Sequence, residues 1–97
     1  MKKGQLINQP ISSLIASLGH TDEIVIADAG LPIPTETERI DLALTQGIPS
    51  FEETLVTVLE EMFVEKAYVS QEIKEYSPQV LAIIKGAIGD KSVEAIP

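Results

Sequence analysis

The chain contains no cysteine. That excludes a disulfide scaffold, a thiolate zinc site and a cysteine nucleophile, and it suits a reducing compartment. Basic residues are scarce: 7 Lys and Arg stand against 15 Asp and Glu, a net charge of −8. Such a field repels phosphate backbones and anionic lipid, so neither nucleic acid nor a membrane surface is an expected partner. A neutral ligand is indifferent to it. No apolar run approaches the ~20 residues that a membrane span needs. The start Met1-Lys2-Lys3 carries the charge of a secretory leader, but Gln5, Asn8, Gln9, Pro10, Ser12 and Ser13 interrupt any apolar core behind it. No signal peptide is therefore expected. The sequence also lacks a Gly-rich phosphate loop, a dinucleotide fingerprint, an internal repeat and a linker.

What is present suits one small globular domain over residues 1–97. The apolar share of 44% argues against disorder. A chain of this size buries roughly 60–70% of its unfolded surface, so its core is modest. Ile11, Leu14, Ile15 and Leu18 fall on one face of a helix, with Asn8 to cap it, Pro10 in its first turn and Gly19 at its end. Residues 23–27, Glu-Ile-Val-Ile-Ala, read as a short buried strand. Residues 30–34 hold one Gly and two Pro and must be irregular, and residues 35–38 read as exposed loop. Residues 39–44 alternate as a second extended piece, broken by Gly47-Ile48-Pro49.

The second half reads more regularly. Ser50 and Glu53 have the spacing of a capping box. Phe51, Leu55, Val58, Leu59 and Met62 follow as a helical stripe. Residues 65–69 read as a strand and residues 71–76 as a short helical turn. Residues 78–85 read as a helix with Val80, Ile83 and Ile84 inward, Pro78 near its first position, and Gly86 and Gly89 weakening its end. Residues 92–96 alternate like a further strand. Strand, helix and strand in that order predict an α/β fold with helices packed on a sheet.

The chemical lead is the one histidine, His20, in the run Gly19-His20-Thr21-Asp22. Histidine is the side chain whose unperturbed pKa lies nearest neutrality, which suits a proton carrier. Its position at a helix end also suits a purely structural residue that meets the last carbonyls. Asp22 either shares in that role or opens the turn into the strand. Asp28 stands where the first strand should end, a frequent place for ligand contacts in α/β sheets; an Asx-turn explains it equally well. Gly30 allows a close backbone approach or simply a turn.

Other residues read more plainly. Glu60, Glu61 and Glu65 read as a solvated helix end, since no second histidine or cysteine completes a metal set. Arg39 and Asp41 read as surface or strand-edge contacts. Ser50 reads as a cap, Tyr68 as a core aromatic and Tyr76 as a surface one.

Taken together, several runs resemble the RbsD/FucU sugar mutarotase family. They are Met1-Lys2-Lys3-Gly4, Leu18-Gly19-His20-Thr21-Asp22, Asp28-Ala29-Gly30-Leu31-Pro32-Ile33-Pro34 and Arg39-Ile40-Asp41-Leu42-Ala43-Leu44, continued by Val58-Leu59-Glu60-Glu61-Met62 and Glu72-Ile73-Lys74. The resemblance covers nearly the whole chain. It implies a three-layer α/β/α fold with a mixed central sheet. It further implies a cytoplasmic isomerase that interconverts the pyranose and furanose forms of ribose. Neither metal nor other cofactor is implied, and the expected assembly is a homo-oligomer, a decamer of stacked pentamers. By the same resemblance His20 is the catalytic proton donor and Asp28 binds the sugar. Family members continue into later strands, with a second substrate-contacting histidine and a Tyr-Ala-Asn segment that binds sugar. This chain is accordingly expected to be a C-terminally truncated member lacking those strands, and impaired catalysis is the alternative expectation. Leaving the resemblance aside, a small acidic interaction domain that presents the helix of residues 51–62 to a partner is a more distant reading.

Overall fold

The structure is a computed structural model, and it describes residues 3–97. Met1 and Lys2, which open the first of the family-like runs, lie outside the described residues. The chain falls into two compact units, one ending at Val58 and the other running from Leu59 to Pro97.

In the first unit, helix α1 spans Gln9–Ser17. The Asn8 side chain caps it, its Oδ1 accepting from the Ile11 N–H at 3.0 Å. Pro10 sits in the first turn, where its missing N–H costs nothing. The helix ends without the left-handed glycine that Gly19 suggested: Leu18 is the cap, and its N–H donates to the Ile15 carbonyl. None of the α1 residues is fully buried.

Residues 23–27 form no strand. Ile24 and Ile26 are half-buried, while Val25 is 78% exposed. A ladder needs a neighbour to exchange N–H and C=O bonds, and none of the described residues pairs with this segment. The expectation of a buried strand is therefore corrected to an irregular, half-covered segment. The same holds for residues 39–44, which form no strand, with Ile40 and Leu42 half-buried and Leu44 exposed at a bend. The segment ends in a tight turn. The Ile48 carbonyl accepts from Leu44 and Thr45 at 3.0 and 3.3 Å, and the Ile48 N–H returns to Thr45 at 3.0 Å. Gly47 supplies the turn's positive φ of 77°. The Ile48–Pro49 bond is cis.

Helix α2, Phe51–Glu61, begins in the first unit. Its capping box is complete. The Ser50 Oγ accepts from the Glu53 N–H at 3.0 Å, and the Glu53 carboxylate accepts from the Ser50 N–H at 2.9 Å. Leu55 and Val58 are buried, and Phe51, Leu59 and Met62 are half-buried, so the stripe faces inward as its spacing requires. This removes the reading in which that face is offered to a partner.

In the second unit, β1 spans Ala67–Ser70 and β2 spans Val93–Ile96. They pair in parallel, Ala67 opposite Val93 and Ser70 opposite Ile96. Parallel strands need a long crossover, and here it comprises α3, Ile73–Tyr76, α4, Pro78–Ile88, and a 3₁₀ turn, Asp90–Ser92. Pro78 occupies the start of α4, and Gly89 ends it with a φ of 94°. Val80, Leu81 and Ile84 are the buried face of α4, and Leu81 shares a small cleft with Val69, Val93 and Ala95 of the sheet. Ile83 is half-buried. Tyr68 is 52% exposed rather than in the core, because β1 alternates and turns Ala67 and Val69 inward. Lys66 sits 5.2 Å from the Tyr68 ring centroid and 3.4 Å from the carboxylate of Glu94.

Among the described residues no helix is long and apolar enough to cross a membrane.

Candidate functional site

The first unit carries a half-open cavity of about 540 Å³. That volume lies within the usual range for small-molecule pockets. Its wall is built from three stretches: the apolar face of α1, residues 24–29 and residues 37–43, with the turn and helix start that follow. Ile11, Leu14 and Ile15 supply apolar wall from α1, and Ile24 and Ile26 supply more. Charged groups enter at four positions: Asp28, Glu38, Arg39 and Asp41.

Asp28 follows directly on residues 24–27. Residues 28–31 make a turn closed by backbone groups, the Leu31 N–H donating to the Asp28 carbonyl at 3.1 Å. The Asp28 carboxylate is thus not needed to close the bend, and the residue is exposed in the cavity wall. A carboxylate accepts hydrogen bonds at up to four lone-pair sites and binds hydroxyls by charge-assisted bonds.

His20 lies on an exposed turn outside the lining of the cavity, shortly before the stretch that lines it. The turn is held by Asp22. Its Oδ2 accepts from the Gly19 N–H at 2.7 Å, and its own N–H donates to the Gly19 carbonyl at 3.2 Å. Asp22 therefore clasps the turn that carries His20. Among the described residues no group of three or more His, Cys, Asp or Glu is arranged to hold a metal ion.

The sequence reads Arg39 and Asp41 as surface or strand-edge contacts; both are exposed and pair with each other, and both also line the cavity with Asp28. The Arg39 guanidinium lies 3.1 Å from Asp41 Oδ2, and Asp41 Oδ1 accepts from the Ala43 N–H at 3.0 Å. The alternation of residues 39–44 sorts Arg39 and Asp41 from Ile40 and Leu42, but all four line the cavity, so the alternation carries no signal of it.

A parallel strand pair bridged by helices in the second unit makes this a chain of the α/β class, and the cavity of the first unit is its candidate ligand site. Within that class, the sequence matches the RbsD / FucU transport protein family over residues 1–97, and the chain belongs to that family. It is 52% identical over 88 residues to a D-ribose pyranase of Pasteurella multocida, covering 91% of this chain and 63% of that protein. A D-ribose pyranase of Yersinia enterocolitica is 60% identical over 80 residues, covering 82% of this chain and 58% of that protein. The chain thus spans less than two thirds of the length of these relatives. Its fold is that of RbsD from Bacillus subtilis, solved in complex with D-ribose. The TM-score is 0.86 at 40% identity, covering 99% of this chain and 73% of that one.

Proposed function

We propose that this protein is a D-ribose pyranase, a cytoplasmic isomerase that interconverts the β-pyranose and β-furanose forms of ribose, working as a single domain within a homodecamer. The observation that carries this reading is its 52% identity to the Pasteurella D-ribose pyranase across 91% of the chain. The likeness in fold to an RbsD that holds D-ribose supports the same substrate. The cavity supports it too, since a pentose is a neutral polyol that the chain's net charge of −8 does not repel.

Changing ring size means opening the hemiacetal and closing it through a different hydroxyl. As the ring C–O bond breaks, the ring oxygen takes up a proton and the anomeric hydroxyl loses one, leaving an open-chain aldehyde. Reclosure reverses these transfers, with another hydroxyl attacking the aldehyde carbon. No net proton or electron is exchanged. In this reading His20 delivers the proton to the ring oxygen. Asp28 holds sugar hydroxyls and fixes the orientation of the bond that breaks. A well-placed acid contributes roughly 100- to 10,000-fold to the rate.

Exchange between the pyranose and furanose signals of ribose, read by saturation-transfer NMR, tests the proposal. The protein should accelerate the exchange, and His20→Ala should lose at least about 100-fold of that acceleration with the circular dichroism spectrum retained. Asp28→Asn should weaken ribose binding. An exchange rate equal to that in buffer would instead make the chain a non-catalytic member of its family. An unaltered rate in His20→Ala would remove His20 from the chemistry.

A further inference from the structure

The charged wall of the cavity is lopsided. Asp28, Glu38 and Asp41 are carboxylates, and Arg39 is the cation among the lining residues. An ionised carboxylate only accepts hydrogen bonds. A sugar's hydroxyls can satisfy it by donating, but each hydroxyl oxygen, and the ring oxygen above all, also requires a donor. The ring oxygen carries no hydrogen and can only accept. A guanidinium offers five N–H donors in a rigid plane and no acceptor.

Arg39 is also held in place. Asp41 is fixed by the Ala43 backbone N–H on one oxygen at 3.0 Å and grips the Arg39 guanidinium with the other at 3.1 Å. One side of the Arg39 fork is thereby anchored to the backbone through a single carboxylate. The pair is open to solvent, with side chains 57% and 54% exposed, and ion pairs so exposed add little to stability. The pair does restrict the side chain of Arg39, a lining residue of the cavity, and a side chain already restricted loses less freedom on binding a ligand.

We propose that Arg39 is a substrate-binding residue that donates hydrogen bonds to the oxygens of a bound pentose, and that Asp41 is its positioning residue. This rests on the pyranase reading for the identity of the ligand. The donor wall and the acceptor at Asp28 together discriminate a polyol from a ligand that offers only acceptors, such as a carboxylate or phosphate ester, which the three carboxylates oppose.

Two readouts on the full chain separate this inference from the reading it rests on. Ribose binding is followed by chemical-shift titration, and ring exchange by saturation transfer. Arg39→Gln should weaken ribose binding by roughly tenfold or more, the size expected for losing a hydrogen bond to a charged donor. It should raise the KM for exchange with little change in kcat. Asp41→Asn should give a smaller loss, because it loosens Arg39 without removing it. Arg39→Lys, which keeps the charge but not the planar fork, should recover only part of the affinity. If Arg39→Gln does not fold, Arg39→Lys carries the test: reduced affinity supports the role and unchanged affinity overturns it. If ring exchange is catalysed and ribose affinity is the same in both Arg39 variants, the Arg39 role is overturned and the pyranase reading stands. If ribose binds through Arg39 but no exchange is catalysed, the pyranase reading fails and the binding role stands. If the unaltered chain does not bind ribose, the Arg39 role is overturned as well.

Discussion

Helix α2 offers the sharpest test of how this sequence encodes its core. Leu55 is 6% exposed, while its neighbour Val56, about 100° further round the same helix, is 36% exposed. Leu55→Ala removes three carbon groups from a buried site. At about 0.8 kcal/mol for each, the lost transfer energy is about 2.4 kcal/mol. The space left behind adds to this, so a total of about 3–4 kcal/mol is expected, within the range of buried Leu→Ala changes. A chain of this length has roughly 5–15 kcal/mol of stability, so the loss is a large fraction of it. With a urea m-value of about 1.5 kcal/mol/M, the midpoint should fall by about 2 M. Val56→Ala gives up less burial and gains about half a kcal/mol of helix propensity, so its midpoint should move by less than about 0.5 M. Urea unfolding followed by circular dichroism at 222 nm measures both. Equal shifts in the two variants, or a Leu55→Ala loss under about 1 kcal/mol, would refute the assignment of this stripe to the core.

Two further predictions concern backbone and protonation. Gly86 lies within α4 with open space where a Cβ would stand, so Gly86→Ala should raise stability by about 0.5–1 kcal/mol. Gly89 has a φ of 94°, so Gly89→Ala should cost about 1–3 kcal/mol, and a scanning calorimeter should show the two Tm shifts with opposite signs. The Ser70 hydroxyl donates to the Glu72 carboxylate and holds its pKa below the ordinary value of 4.5. The Ser50 backbone N–H, and then its hydroxyl, do the same for Glu53. A depressed carboxylate contributes stability above its unfolded pKa, and that stability is lost as pH falls through the folded one. Both contributions should thus be complete above about pH 5 and vanish toward acid. In an NMR titration, Ser70→Ala should return the Glu72 midpoint toward its ordinary value, whereas Ser50→Ala should leave Glu53 partly depressed because the backbone donor remains. An unmoved Glu72 midpoint would refute the hydrogen-bond cause.

The elements that the sequence announces most clearly are those whose stabilising groups lie within a few residues of one another. The capping box of Ser50 and Glu53, the Asn8 cap and the proline starts of α1 and α4 are all local, and all appear where their spacing places them. The strand at Ala67–Ser70 and its partner at Val93–Ile96 were legible as alternating runs, shifted by at most two residues from their predicted starts. Residues 23–27 and 39–44 show the other case. The β-branched run of the first and the alternation of the second suit a strand, but a strand exists only where another chain segment meets it, and that is a property of the packing.

The same division runs through the candidate site. Rarity and position singled out His20 and Asp28, and the runs around them carried the family resemblance that the match over residues 1–97 bears out. The sequence by itself determined the caps and starts of the helices, the acidic net charge, and family membership, since each depends on residues close in the chain or on identity alone. Only the tertiary structure decided that Arg39 and Asp41 share a cavity wall with Asp28. Alternation within residues 39–44 sorts side chains into two sides, yet residues of both sides line the cavity, because its wall is made by the packing of segments distant in sequence.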